Sequence, residues 1–582
     1  MTIAPSPTPA SSDDRAAVQA AYLEATPRDP LALARSWGVI TETVALPVRP
    51  PANLGDREAF WVTNVETDEH FQVEATLRVQ SPHLAFYLAD GISVDDAVLQ
   101  AAATTFESQS WALFSQWFDA AALPSAPITV LNAAIPGVGG YYAADNELPR
   151  ALNRYSNERE IIFINANAVD FAGAGYVGVL THEIQHLLHR NALSHPATWF
   201  NEGASMLSED RTGVGNDGLV SAYLANPDLQ LNAWADSPSS ALSHYGAAQL
   251  FLRYLDAQTA GGLPVGGLAQ ADAGDALQPL LEVAQARLPE LQTFGDLYAT
   301  WATANMLKDA TVDRGQYDYA GLPRAIRPVP ADAAAAGTVH QLGVDYLAWA
   351  ASSSEQRIRW EGDTSVPVIP APIAENEVVW WSGRGDARVS TLTSARIVPE
   401  AGATLRYRAW IDLEESYDYA YLTVSTDGGA TWRSLPTPSS SADDPLGLNL
   451  GGGWTGQQTT WRDEEVSLQP WQGRAIQLRF WTITDEAYNT SGVALADLRI
   501  EGVAEASWEG AGFVSMRNQL PQEWELRGVL YPPTGPPTVV DLPVADGRAA
   551  WIIPANQRAV LVVVGATHAT TELARYRYQN GP

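Results

Sequence analysis

The 582-residue chain has no cysteine. Disulfides, cysteine nucleophiles and thiolate metal sites are therefore excluded, and any metal must be held by His, Asp or Glu. Positive charge is scarce. The chain sets 35 Lys and Arg against 67 Asp and Glu, a net charge of −32, and Lys308 is the only lysine. Nucleic acid and anionic membrane surfaces are poor partners for such a chain, because their phosphates would be repelled. No stretch approaches the roughly 20 apolar residues that span a bilayer. The opening MTIAPSPTPASSDD lacks the basic and hydrophobic regions of a signal peptide. It reads as a Pro/Ser/Thr leader, expected to follow an export signal removed upstream.

What the chain does have is apolar bulk and punctuation. Hydrophobic residues make up 46% and charged residues 18%, alongside 45 Gly, 38 Pro and 20 Trp. This is a globular composition, and the length suggests three or four domains. Residues 1–37 read as a leader with N-terminal helices. Residues 38–125 read as an N-terminal α+β subdomain. In it FWVTNVE, HFQVEATLRV and HLAFYLA alternate as strands, and a helix follows, opening near Ser93. Residues 126–337 carry two buried strands (128–133 and 161–166) and helices over 173–190, 198–210, 243–258 and 277–308, with 259–275 as a Gly/Ala loop. Beyond about 338 the pattern is strands and turns. The flanks 338–366 and 502–582 are expected to form one discontinuous β-sandwich around a module spanning 367–501.

The decisive segment is G-V-L-T-H-E-I-Q-H-L-L-H, residues 178–189. On a helix, positions i and i+4 share a face, so His182 and His186 can point ring nitrogens at one ion. Zinc bound this way needs Zn–N distances of about 2.0–2.1 Å. Glu183 projects beside that face, placed to take a proton from a metal-bound water. HExxH arises by chance in roughly one such chain in a hundred. The bland alternative is a surface helix with two solvated histidines. The apolar Val177, Val179, Leu180 and Ile184 argue against it. A third ligand is needed, with one position left open. The metzincin pattern fails at His189 and Ala192. Glu202, opening the run TWFNEGASMLSED, is favoured, with His195 competing. His189 is read as lining the cleft or packed against it.

HEIQHLLH followed by WFNEGAS resembles the gluzincin metallopeptidases, and most closely the hyicolysin-like and immune-inhibitor-A-like secreted bacterial peptidases. YSNEREIIFIN (155–165) and SHYGAAQLFLRYL (243–255) look similar too, so the resemblance covers about residues 40–330. It implies a multidomain protein, an α+β zincin-like peptidase domain followed by all-β sandwich (jelly-roll) domains. It implies Zn²⁺ on His182, His186 and Glu202, with Glu183 as base and Tyr245 or His244 stabilising the oxyanion. One departure is Met206, where thermolysin-like enzymes have an Asp orienting the first histidine. Ser205, Glu209 and Asp210 are the candidates to replace it.

Three stretches, 408–432, 446–456 and 478–500, resemble the MAM-like jelly roll that follows immune-inhibitor-A peptidases. That resemblance implies structural Ca²⁺, for which Asp412, Glu414, Glu415, Asp418, Asp485 and Asp497 are candidate ligands. SxDxGxTW (Ser425 to Trp432) matches an Asp-box, but one copy does not make a sialidase propeller. GRGD (383–386) is read as coincidence. The function expected is a secreted, extracellular zinc endopeptidase acting on protein or peptide. Its β modules would meet glycan or cell-surface ligands. A non-catalytic surface adhesin is the competing reading, and a glycan hydrolase the third.

Overall fold

In the computed structural model the described residues are 12–40, 46–47, 50–193, 197–235, 238–271, 277–375, 377–501, 503 and 506–581. His195 lies outside them. The first segment forms α1 (Ser12–Glu24), the two-residue strand β1 (Thr26–Pro27) and α2 (Pro30–Ser36). Asp29 caps α2 by accepting from the Leu31 and Ala32 amides. These elements do not stand apart as a leader. β1 pairs with residues 388–389 of the later β module. Val18 and Ala21 bury against Trp381 and Trp410, and Trp37 packs on Tyr421 and Trp481.

A single sheet follows, from β2 (Arg57–Asn64), β3 (Glu69–Gln80), β4 (Leu84–Ala89), β5 (Ile128–Ala133), β6 (Gly140–Tyr142) and β7 (Ile161–Asn165). Its order is β2-β3-β4-β5-β7-β6, with β4, β5 and β7 parallel and β6 antiparallel at the edge. The boundary drawn at 125 therefore falls inside one sheet. β4, β5 and β7 are buried along their whole length and largely apolar because both faces are covered, as parallel strands require. One face holds Phe60, Tyr87, Leu131 and Phe163. The other carries α3 (Asp96–Trp117) and α4 (Ala174–Ala192), with Phe106, Phe114, Val130, Ile162, Leu180 and Ile184 in one core. Each such side chain contributes about 1.5–3 kcal/mol by leaving water. The helix start at α3 is capped by Asp95, which accepts from the Ala97 amide, and not by Ser93. The reason is spacing, since a cap must sit next to the first helical residue to reach an open N–H.

The remaining helices are α5 (Thr198–Arg211), α6 (Gly218–Ala225), α7 (Pro238–Gln258), α8 (Val265–Ala271), α9 (Leu277–Gln285) and α10 (Phe294–Leu307). α8 lies within the stretch read as a Gly/Ala loop, and the helix expected over 277–308 is broken between α9 and α10. Phe200, Leu207, Phe251, Leu255 and Trp301 form their shared core, which extends onto Val529, Val560 and Val562 of the C-terminal strands.

Strands from both flanks pair with one another. Residues 344–349 pair with 559–564, and 356–361 with 548–553. Between them, two further antiparallel sheets enclose Leu405, Leu422, Trp454, Phe480 and Leu495. The Asp-box is an ordinary tight turn here. Asp427 accepts from the Thr431 amide at 3.0 Å.

Candidate metal centre

α4 and α5 pack side by side, and their facing surfaces make the site. Gly203 permits the approach of α5 to α7. A Cβ there would stand 3.0 Å from Leu252 Cδ1 and 3.2 Å from both the Ala248 Cβ and carbonyl oxygen. Glu202 Oε2 lies 3.2 Å from His182 Nε2 and 3.6 Å from His186 Nε2. The ligand atoms of the three residues lie within 4.8 Å of one another.

The other ring nitrogens are already engaged. His182 Nδ1 donates to Glu209 Oε1 at 2.9 Å. His186 Nδ1 lies 3.2 Å from Ser205 Oγ, which donates to Gln185 Oε1 at 2.5 Å. Each ring therefore turns Nε2 towards Glu202. A tetrahedral ion with bonds of about 2.0–2.1 Å has ligand atoms about 3.3–3.4 Å apart. The two separations from Glu202 bracket that value, and two imidazoles with one carboxylate suit zinc chemically.

The electrostatics follow from burial among these groups. Burial alone would lower the His182 ring, but hydrogen bonds to Glu202 and Glu209 outweigh it and hold the ring well above its ordinary value. Burial lowers His186. Burial pushes the Glu202 carboxyl up, yet His186, His182 and a hydrogen bond from Tyr245 bring it below its usual range. Glu183 is pushed up to about 7, mainly by burial, and the Tyr142 backbone N–H donates to it.

Tyr142 belongs to β6, so the outer edge of the sheet faces Glu183. Gly140 makes that closeness possible. A Cβ at 140 would stand 2.6 Å from Val179 Cγ1 and 3.4 Å from Glu183 Cγ.

Of the two oxyanion candidates, Tyr245 is hydrogen-bonded to Glu202 and held well above its ordinary pKa by that carboxylate. His244 points elsewhere. It packs against Trp234, with centroids 5.4 Å apart, and burial pulls it down to about 4. His189 is a packed histidine, buried between Phe118 and Phe200, with Nδ1 2.8 Å from Asn201 Oδ1. Asp210 turns away to Arg253 and Gln249. The partner of His182 is thus Glu209, seven residues beyond Glu202 and on the same face of α5. A two-turn spacing between acids is the signal that could have found it.

In the β module Glu414, Asp418 and Asp485 come together. Asp418 Oδ1 accepts from the Asp485 amide at 2.8 Å, and its buried Oδ2 has no hydrogen-bond partner among the described residues. Burial first, and then repulsion from neighbouring acids, Glu414 for both, pushes the two aspartates well above the usual carboxylate range. The other three candidates fall outside the cluster. Asp412 is occupied with the Ser491 amide at 3.0 Å. Glu415 is exposed. Asp497 pairs with Arg408 at 2.7 Å.

Residues 360–508 match the family described as immune inhibitor A-like, MAM domain. This segment is an immune inhibitor A-like MAM domain. The chain is also similar to the pre-pro-metalloprotease PrtV of two Vibrio cholerae serotype O1 strains. It is 30% identical over 129 residues, 22% of this chain and 13% of that protein. Bacillopeptidase F of Bacillus subtilis is 24% identical over 157 residues, 26% of this chain and 10% of that protein. The chain thus spans 10 to 13% of the length of the curated relatives it matches. With the MAM domain and these relatives, the resemblance to immune-inhibitor-A-like metallopeptidases holds. Among the described residues no helix is long and apolar enough to cross a membrane.

Proposed function

We propose that the chain is a zinc-dependent endopeptidase of zincin-like fold that acts outside the cell, as the secreted peptidases it resembles do. The observation that carries this reading is the convergence of His182, His186 and Glu202 beside a buried general base, Glu183. Zn²⁺ held there would supply a Lewis acid that polarises a carbonyl and acidifies water. The protein's own residues do the rest. Glu183, poised near neutral pH, takes the proton from the attacking water at its carboxylate and passes it to the leaving nitrogen. β6 is the last strand of its sheet, and among the described residues its outer edge pairs with no strand. An extended polypeptide can add there through main-chain hydrogen bonds, which places a peptide bond beside Glu183. Tyr245 Oη donates to Glu202 in the resting site, and its one O–H turns from that carboxylate to the oxyanion as charge develops.

The test is casein or gelatin cleavage together with zinc content. Chelation should abolish cleavage and added zinc restore it. Glu183→Gln should keep the metal and lose activity, and full activity in that variant would reject the assignment of the base. The MAM domain is proposed to hold Ca²⁺ on Glu414, Asp418 and Asp485, an arrangement supported by the unpartnered buried Asp418 oxygen. Calcium should raise the melting temperature of the wild type and leave that of Asp418→Asn unchanged.

A further inference from the structure

Among the described residues, the segment leading into the helix that carries Glu202 supplies no side-chain cap. Ala197 precedes α5 and offers no side-chain acceptor. The acceptor comes instead from the MAM domain, 188 residues away in sequence. Asp386 Oδ2 accepts from the Thr198 amide at 3.1 Å and from Thr198 Oγ1 at 2.6 Å. Its other oxygen accepts from Asn489 Nδ2 at 2.7 Å, and Asn489 Oδ1 accepts from Arg384 Nε at 2.9 Å. Asp386 and Thr198 are each only 7% exposed. The GRGD tetrapeptide therefore points into the molecule and not at an external receptor.

We propose that Asp386 is a positioning residue for the metal centre: it caps α5 from another domain and so fixes where Glu202 meets His182 and His186. The inference rests on the metallopeptidase reading above. The physical argument has three parts. A carboxylate at a helix N-terminus satisfies an open N–H and complements the helix dipole. Thr198 and Glu202 are four residues apart, so the anchored turn and the ligand share one face of the helix. The anchor is held at both carboxylate oxygens, one by the buried Thr198 and the other by the half-buried Asn489. The loop that carries Asn489 adds a second tie, since the Glu486 carbonyl lies 3.2 Å from Thr198 Oγ1. The MAM domain is thereby a structural part of the metal centre and not a detachable appendage.

The experiment compares full-length wild type, Asp386→Ala, Asp386→Asn and Leu405→Ala. Leu405 sits in the MAM core, remote from α5, and serves as a destabilised control. Zinc dissociation constants are measured by competition with a chromophoric chelator. Hydrogen exchange is followed in the first turn of α5. Asp386→Ala should weaken zinc about tenfold, at the low end of what loss of an outer support of a metal ligand costs. It should also speed exchange at 198–202. Asp386→Asn keeps an acceptor and should stay within about threefold of wild type. Leu405→Ala should lower the melting temperature with zinc affinity and α5 exchange unchanged. Equal zinc affinity in Asp386→Ala and wild type overturns the proposal, as does equal weakening in Asp386→Ala and Leu405→Ala. A wild type that binds no zinc overturns the metallopeptidase reading itself, and the positioning role with it.

Discussion

Glu209→Ala is the sharpest single perturbation of the metal centre, because Glu209 holds the far side of a candidate ligand, His182. Its Oε1 accepts from His182 Nδ1 at 2.9 Å, and its side chain is 13% exposed. This contact fixes the imidazole as the Nδ1–H tautomer and keeps the Nε2 lone pair turned towards Glu202. Without it the ring can rotate or move its proton to Nε2, and either change removes a ligand. A hydrogen bond to a charged partner in such a place is worth about 1.5–3 kcal/mol. Loss of a histidine's outer carboxylate typically costs 10–100-fold in metal affinity, which is about 1.4–2.7 kcal/mol. The two routes agree, so zinc should bind about 10–100 times more weakly in Glu209→Ala. Glu209→Gln keeps an acceptor without the charge and should fall between. Competition titration against a chromophoric chelator reads this directly, and circular dichroism checks that α4 and α5 persist. A zinc affinity within twofold of wild type in Glu209→Ala would refute the argument that this carboxylate sets the ring.

Other perturbations reach different parts of the molecule. Gly140→Ala brings a Cβ to 2.6 Å from Val179 Cγ1 and 2.9 Å from the Phe163 carbonyl oxygen, so β6 must move away from α4. Overpacking of this kind costs about 1–3 kcal/mol. Peptide hydrolysis should fall at least tenfold with zinc content unchanged, and unchanged hydrolysis would show that β6 does not seat the substrate. Tyr245→Phe should lower kcat about a hundredfold with little change in KM, as removal of an oxyanion donor does; a pure KM effect would assign it to binding instead. Asp345, which accepts from Tyr576 Oη at 2.7 Å, is pushed up to about 6, chiefly by burial. Its folded pKa exceeds its unfolded one, so the stability it provides is present at low pH and is lost as pH rises through 6. Asp345→Asn cannot ionise. Its stability relative to wild type should therefore rise by about 1–2 kcal/mol between about pH 4 and about pH 7.5, after allowance for solvent screening. Urea midpoints at the two pH values test this, and a pH-independent difference would refute it.

How much of the fold was legible depends on how local each cause is. Strands such as Ile161–Asn165 announce themselves through a short apolar run, Ile161 to Ile164, which the fold buries. The helix α4 does so through its apolar face. The expected boundary at 125 misled because β4 and β5 are neighbours in the sheet but are separated by α3 in the chain. Nothing local marks such a crossover as lying within one domain. The N-terminal helices misled for the same reason. Thr26 pairs with Val389, a register set by a sheet whose other strands lie hundreds of residues away.

The metal centre divides along the same line. His182 and His186 were readable because helical periodicity alone puts them on one face, with Glu183 beside it. Glu202 needed the motif around it, since its meeting with the histidines depends on how α4 and α5 cross. The choice of Glu209 over Asp210 also turns on that crossing. The two are adjacent in sequence, yet one faces His182 and the other faces Arg253. Asp386 was beyond sequence reasoning altogether. GRGD offers four small or charged residues whose meaning comes wholly from the helix end they meet. That limit is physical. A helix N-terminus that has no cap nearby leaves open N–H groups, and burial demands that some acceptor reach them. The sequence states the demand at Ala197, where no polar side chain stands, and only the folded chain shows that Asp386 meets it.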